Sequence, residues 1–114
     1  MPEQPAAEDA KILTLARSAR ARTRAAEGAC VRDLDGRTYA GAAVDLASLQ
    51  LSAVAVAVAM ASSSAAAGLE AVAVVTDSGS VSEDDLAVVR DFAGDGVAVL
   101  RADARGRLQE TLTT

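Results

Sequence analysis

The sequence predicts a layered α/β sheet that begins with an antiparallel hairpin. Three observations carry this. Segments of helical period alternate with short runs rich in valine and alanine. An Asp35-Gly36 pair stands between two short apolar runs, where a tight turn needs positive φ. Ser82, followed three residues later by Asp85, resembles a capping box that opens a helix between two strands. The predicted order is α-β-β-α-β-α-β.

Residues 1–7 hold both prolines and no apolar period, which predicts a loose tail ahead of one domain over 8–114. Ile12, Leu13, Leu15, Ala16 and Ala19 share one face of a helix over 8–25, with Asp9 as its N-cap. Strands over 28–34 and 37–43 flank the Asp-Gly turn. The segment 47–67 alternates Val54, Val56 and Val58 with alanines, which locally mimics a strand. Its length and its alanine content predict a helix instead, ended by Gly68. A helix apolar on nearly every face needs cover on nearly every side, here a sheet and a second subunit. Leu69 to Thr76 reads as a central strand. The helix after Ser82 buries Leu86, Val89 and Phe92 and stops before Gly94. Gly96 to Arg101 is another strand, and the remainder through Leu108 and Leu112 is a short helix or a strand end.

Composition narrows the chemistry. The chain of 114 residues has no His and a single cysteine, Cys30, so a disulfide within the chain and His- or Cys-dependent chemistry are both excluded. The polar N-terminus lacks a basic signal region, which points to a reducing cytoplasm. The most apolar stretch, Leu46 to Leu69, is interrupted by serines and is largely alanine, so no membrane span is expected. Sixteen acidic against eleven basic side chains give a net charge of −5, which argues against a nucleic-acid partner. Arg17, Arg20, Arg22 and Arg24 form the one basic concentration and read as a solvated helix end.

Other groupings have simple explanations. Thr76, Asp77, Ser78, Gly79 and Ser80 lie between a strand and a helix, where open α/β sheets often bind ligands. An ordinary strand-to-helix loop of turn residues explains them better. Glu83, Asp84 and Asp85 suit a helix first turn better than a metal cluster. Asp33 and Asp35 read as turn residues, since the further ligands of a calcium loop are missing. A serine nucleophile would have only Lys11 as a base, far along the chain. Cys30, among apolar neighbours, reads as a buried inert thiol.

Several strings, in order, resemble the small cytidine deaminase family over about residues 10–101. Gly28-Ala-Cys-Val-Arg-Asp-Leu-Asp35-Gly36-Arg resembles its first strand and hairpin. Gly41-Ala-Ala-Val44-Asp45-Leu-Ala47-Ser48 resembles G-x-N-V-E-N-A-S, and Leu86-Ala-Val-Val-Arg90-Asp-Phe92 resembles R-Q-V-L-x-E-F. The resemblance implies a three-layer α/β/α fold with a mixed sheet and assembly through the long helix. It also implies a zinc ion that activates water, with a glutamate moving protons. The family's [HC]-A-E reads Val54-Ala55-Val56 here, and its P-C-x-x-C reads Val81-Ser82-Glu-Asp-Asp85. The substrate-gripping Asn and Glu fall on Ala43 and Asp45, and a base-packing aromatic falls near Ala25.

The expectation is therefore a catalytically inactive deaminase-like protein with no catalytic residues, no cofactor and no metal. It would serve as a scaffold that forms a dimer or tetramer through the 47–67 helix, or that meets an unknown protein partner. A nucleoside- or anion-binding module using Asp45 and residues 76–80 is the alternative. A weak deaminase or hydrolase stands behind both.

Overall fold

The computed structural model describes residues 5–114. In chain order the elements are α1 (Ala7–Thr23), β1 (Glu27–Asp33), β2 (Thr38–Ala42), β3 (Val44–Leu46), β4 (Leu49–Leu51), α2 (Ala53–Ser63), β5 (Leu69–Thr76), α3 (Glu83–Ala93), β6 (Ala98–Ala102) and β7 (Leu108–Thr113). The main sheet runs β2-β1-β5-β6-β7, with β5 and β6 parallel and the other neighbours antiparallel. The predicted α/β layering with a mixed sheet is what the chain adopts. Among the described residues no helix is long and apolar enough to cross a membrane.

The strand period of two sorts side chains onto the two faces. Cys30, Ala71, Ala73, Val75, Leu100 and Ala102 meet Ile12, Leu13 and Ala16 of α1. Ala29, Val31, Val72, Val74 and Val99 meet Ala53, Val54, Ala57, Val58 and Ala61 of α2 and Val89 of α3. Because β5 is covered on both faces it reads as a continuous apolar run rather than an alternating one.

Two glycines set the distance between sheet and helices. A Cβ on Gly28 would lie 2.1 Å from the carbonyl oxygen of Ala16, so α1 rests directly on the β1 backbone. A Cβ on Gly41 would lie 2.6 Å from Val56 Cγ1 of α2. Small residues let elements approach, and the area buried at that approach stabilises the layers.

Two turns share one local design. Asp33 Oδ1 accepts from the N–H groups of Asp35 and Arg37, each at 2.9 Å, and Tyr39 Oη donates to Oδ2 at 3.0 Å. Asp103 Oδ1 accepts from the N–H groups of Arg105 and Arg107, each at 3.0 Å, and Gln109 Nε2 donates to Oδ2 at 3.3 Å. Gly36 and Gly106 take φ of 84° and 80° three residues after each aspartate. The Asp-Gly prediction found the first turn. The second, Asp-Ala-Arg-Gly-Arg, lacks the Asp-Gly pair and escaped notice, so β7 stayed undecided between strand and helix.

The helix predicted over 47–67 is shorter. Ser52 Oγ accepts from the N–H of Ala55 at 3.0 Å and starts α2 there. Ahead of it, Val44–Leu46 and Leu49–Leu51 pair as a small separate hairpin. At the other end Ala65 takes φ of 63°, so the helix stops at Ser63, well before Gly68. Nor is α2 covered all round within the chain: Ala59, Met60, Ser62 and Ser63 are exposed. Asp9 is not the N-cap of α1. That position is Ala6, without a side-chain cap, and Asp9 instead takes Arg32 Nη2 at 3.1 Å. The helix already includes Ala7, which shortens the expected tail, and residues 1–4 of that tail lie outside the described residues.

Candidate functional site

The N-termini of α2 and α3 meet beside the carboxyl end of β5, the place in an open α/β sheet where loops most readily form a site. Each helix starts on a serine. Ser52 caps α2 through the Ala55 N–H, and Ser82 caps α3 through the Asp85 N–H at 3.1 Å. The two caps are joined: the Ser52 hydroxyl donates to Asp85 Oδ1 at 2.5 Å. Asp85 is almost fully buried, so this bond supplies an acceptor side chain with a partner away from water. In a capping box the residue at Asp85 would return to the backbone of Ser82. Here its carboxylate reaches across to the neighbouring helix.

The four positions singled out in the sequence separate into two pairs. Ser82 and Asp85 stand at the junction. Val54, 1 % exposed, is packed in the core formed with the sheet, and Val56 lies against Gly41. Val54 and Val56 offer neither a lone pair nor a proton. Among the described residues no group of three or more His, Cys, Asp or Glu side chains could hold a metal ion.

The loop after β5 uses its polar groups internally. Thr76 Oγ1 donates to Glu27 Oε2 at 2.8 Å and accepts from the Ser78 N–H at 3.0 Å. Ser78 Oγ donates to the Ser80 carbonyl at 3.1 Å, and Arg101 Nη1 donates to the Ser78 carbonyl at 3.3 Å. Asp77 pairs with Arg20 at 2.9 Å. Gly79 stands in open space. Its charged neighbours are of both signs, Glu27 and Asp77 against Arg20 and Arg101, and all four are engaged with groups of the chain. Asp45 is exposed on the β3–β4 hairpin, and no hydrogen bond among the described residues links it to residues 76–80.

Two residues of this region escaped the sequence reading. Ser52 is one of the serines that interrupt the apolar stretch Leu46 to Leu69, and a serine just before a helix-forming alanine run is also a cap signal. Glu27 had no signal, because its partner Thr76 is 49 residues away.

The arrangement has known relatives. A family model described as "Cytidine deaminase-like" matches residues 5–106. The fold is similar to cytidine deaminase from Burkholderia pseudomallei, with a TM-score of 0.79 at 19% identity over 90% of each chain. Cytidine deaminase from Mycobacterium leprae gives a TM-score of 0.73 at 21% identity, over 96% of this chain and 94% of that one. The Mycobacterium tuberculosis cytidine deaminase gives 0.66 at 27% identity, over 78% and 80%. No curated protein sequence matches at a significant level. With nearly its whole length inside the family model, this chain belongs to the cytidine deaminase-like family.

Proposed function

We propose that this protein is a catalytically inactive cytidine deaminase-like scaffold of the cytoplasm that self-associates as a dimer or tetramer through α2. The observation that carries the reading is the Ser52–Asp85 junction. In the small cytidine deaminases the resemblance puts zinc ligands and a proton-carrying Glu at Val54, Val56, Ser82 and Asp85. A catalytic zinc wants three protein donors from sulfur, imidazole or carboxylate, with water in the fourth position. These positions supply a single carboxylate, already engaged by Ser52, so the residues present do not fit the metal. Water activation and proton transfer through that site are lost together.

Self-association is supported by the outer surface. Ala55, Val58, Ala59, Val88 and Phe92, with Ser62 and Asp91 among them, line a mostly apolar groove of about 380 Å³ between α2 and α3. Met60 stands exposed on the same helix. Metal analysis of the purified protein together with a cytidine deamination assay tests the catalytic part. No bound zinc and no uridine are expected, and stoichiometric zinc with turnover would overturn the reading. Light scattering tests the assembly, and a strict monomer at micromolar concentration would remove that part.

A further inference from the structure

We propose that the cleft between α1 and the β6–β7 turn is a binding site for a small phosphomonoester. It lies apart from the α2–α3 junction and depends on nothing proposed for it. The cleft has a volume of about 220 Å³ and is lined by Ala10, Leu13, Thr14 and Arg17 of α1, by Arg105 and Gly106 of the turn, and by Pro5. By this measure a single water needs about 10–15 Å³, so the cleft has room for a phosphate and a small attached group.

Charge argues for an anion. Arg20, Arg32, Arg90 and Arg101 are all in ion pairs. Arg17 and Arg105 form none among the described residues, yet they share one cleft. The carboxylate closest in sequence, Asp103, accepts the N–H groups of Arg105 and Arg107 and the amide of Gln109, so three of its hydrogen bonds go to the turn while its charge also acts on Arg105. Two guanidinium groups with five donors each match the oxygens of a dianionic phosphate, and Thr14 adds a hydroxyl.

The frame is built to hold them. The Asp103 turn fixes Arg105, and Gly106 sits at φ of 80° with Arg17 Cδ 3.3 Å from where a Cβ would lie. The stem of Arg17 thereby lies beside the turn that carries Arg105. Ala10, Leu13 and Pro5 give the rest of the cleft an apolar lining, which suits the carbon group of a monoester better than inorganic phosphate alone.

The test uses the full chain, phenyl phosphate and inorganic phosphate, in buffer of physiological ionic strength. Amide shifts in a ¹H–¹⁵N spectrum follow binding at Thr14, Arg17, Arg105 and Gly106. Phenyl phosphate is expected to saturate with Kd below about 1 mM and to bind more tightly than inorganic phosphate. Arg17→Gln and Arg105→Gln should each weaken it about tenfold or more, since a hydrogen bond between charged groups is lost. Arg22→Gln with Arg24→Gln removes two charges outside the cleft and should change Kd by less than about twofold. Absence of saturation at about 10 mM would overturn the proposal. So would equal weakening by the Arg22 and Arg24 pair, which would mark general attraction to positive charge.

Discussion

Ser52 donates to the Asp85 carboxylate while capping its own helix, so one hydroxyl ties the starts of α2 and α3 together. Ser82 caps α3, and no hydrogen bond among the described residues links its hydroxyl to α2. The two serines therefore differ in a measurable way. Loss of a cap costs about 1 kcal/mol, and a hydrogen bond to a charged group adds roughly 1.5–3 kcal/mol. Urea unfolding of Ser52→Ala is expected to show a loss clearly larger than that of Ser82→Ala, and equal losses would refute the tie. A chelator should leave both variants and the parent unchanged.

Gly28 and Gly41 each accept a helix, but their neighbours differ in compliance. An alanine at 28 meets the Ala16 carbonyl at 2.1 Å and the Arg20 nitrogen at 2.8 Å, both backbone. An alanine at 41 meets first the Val56 side chain, at 2.6 Å. Overpacking costs about 1–3 kcal/mol, more where backbone must move. Gly28→Ala should fall at or beyond the top of that range, Gly41→Ala within it, and Gly79→Ala, with open space around it, near zero. Thermal unfolding in that order is the check.

The two turn aspartates govern acid behaviour. Burial opposes ionisation of Asp33, but the Arg37 N–H, the Tyr39 hydroxyl and the Asp35 N–H outweigh it and hold the carboxyl below its ordinary 3.8. The Arg107 N–H does the most for Asp103, against partial desolvation and with help from the Arg105 N–H, in the same direction. A depressed carboxyl gives stability that is fully present above its unfolded value and fades as pH falls through the folded one. The chain should therefore lose stability below about pH 4, and Asp33→Asn should shrink the difference in Tm between neutral and acid pH. An unaltered acid limb in that variant would contradict the assignment.

Cys30 is fully buried in the α1 layer, and burial pushes its thiol up to about 11, against the Tyr39 backbone contact and the nearby cations. The thiolate is the reactive form. A disulfide reagent at about pH 8 should leave the native protein unlabelled and modify one thiol per chain after unfolding. Prompt labelling of the native state would contradict this.

Local signals were legible and distant ones were not. The apolar run Leu69–Thr76 and the serine before Glu83 mark elements by their own residues, and both stand where expected. The β3–β4 hairpin was hidden because Leu46, Leu49 and Leu51 continue an apolar stretch that also suits a helix, and no Gly or Pro marks its turn. Of the candidate site, Ser82 and Asp85 are neighbours through their own helix cap, which spacing reveals. The link of Asp85 to Ser52 spans 33 residues and belongs to packing. Asp45 and residues 76–80 share only their chemistry in the sequence, and no hydrogen bond among the described residues joins them.

The paired turns bear on how the chain acquires its fold. Asp33 and Asp103 each close a hairpin from within a handful of residues, so β1–β2 and β6–β7 can form without help from distant sequence. β5 must then enter between β1 and β6, and that pairing pays the loop-closure entropy of long separations. Mutational kinetics should accordingly give Gly36→Ala a high φ-value and Val74→Ala a low one. The central strand, the most apolar part of the sheet, would then be the last piece to find its place and the one most exposed to misassembly on the way.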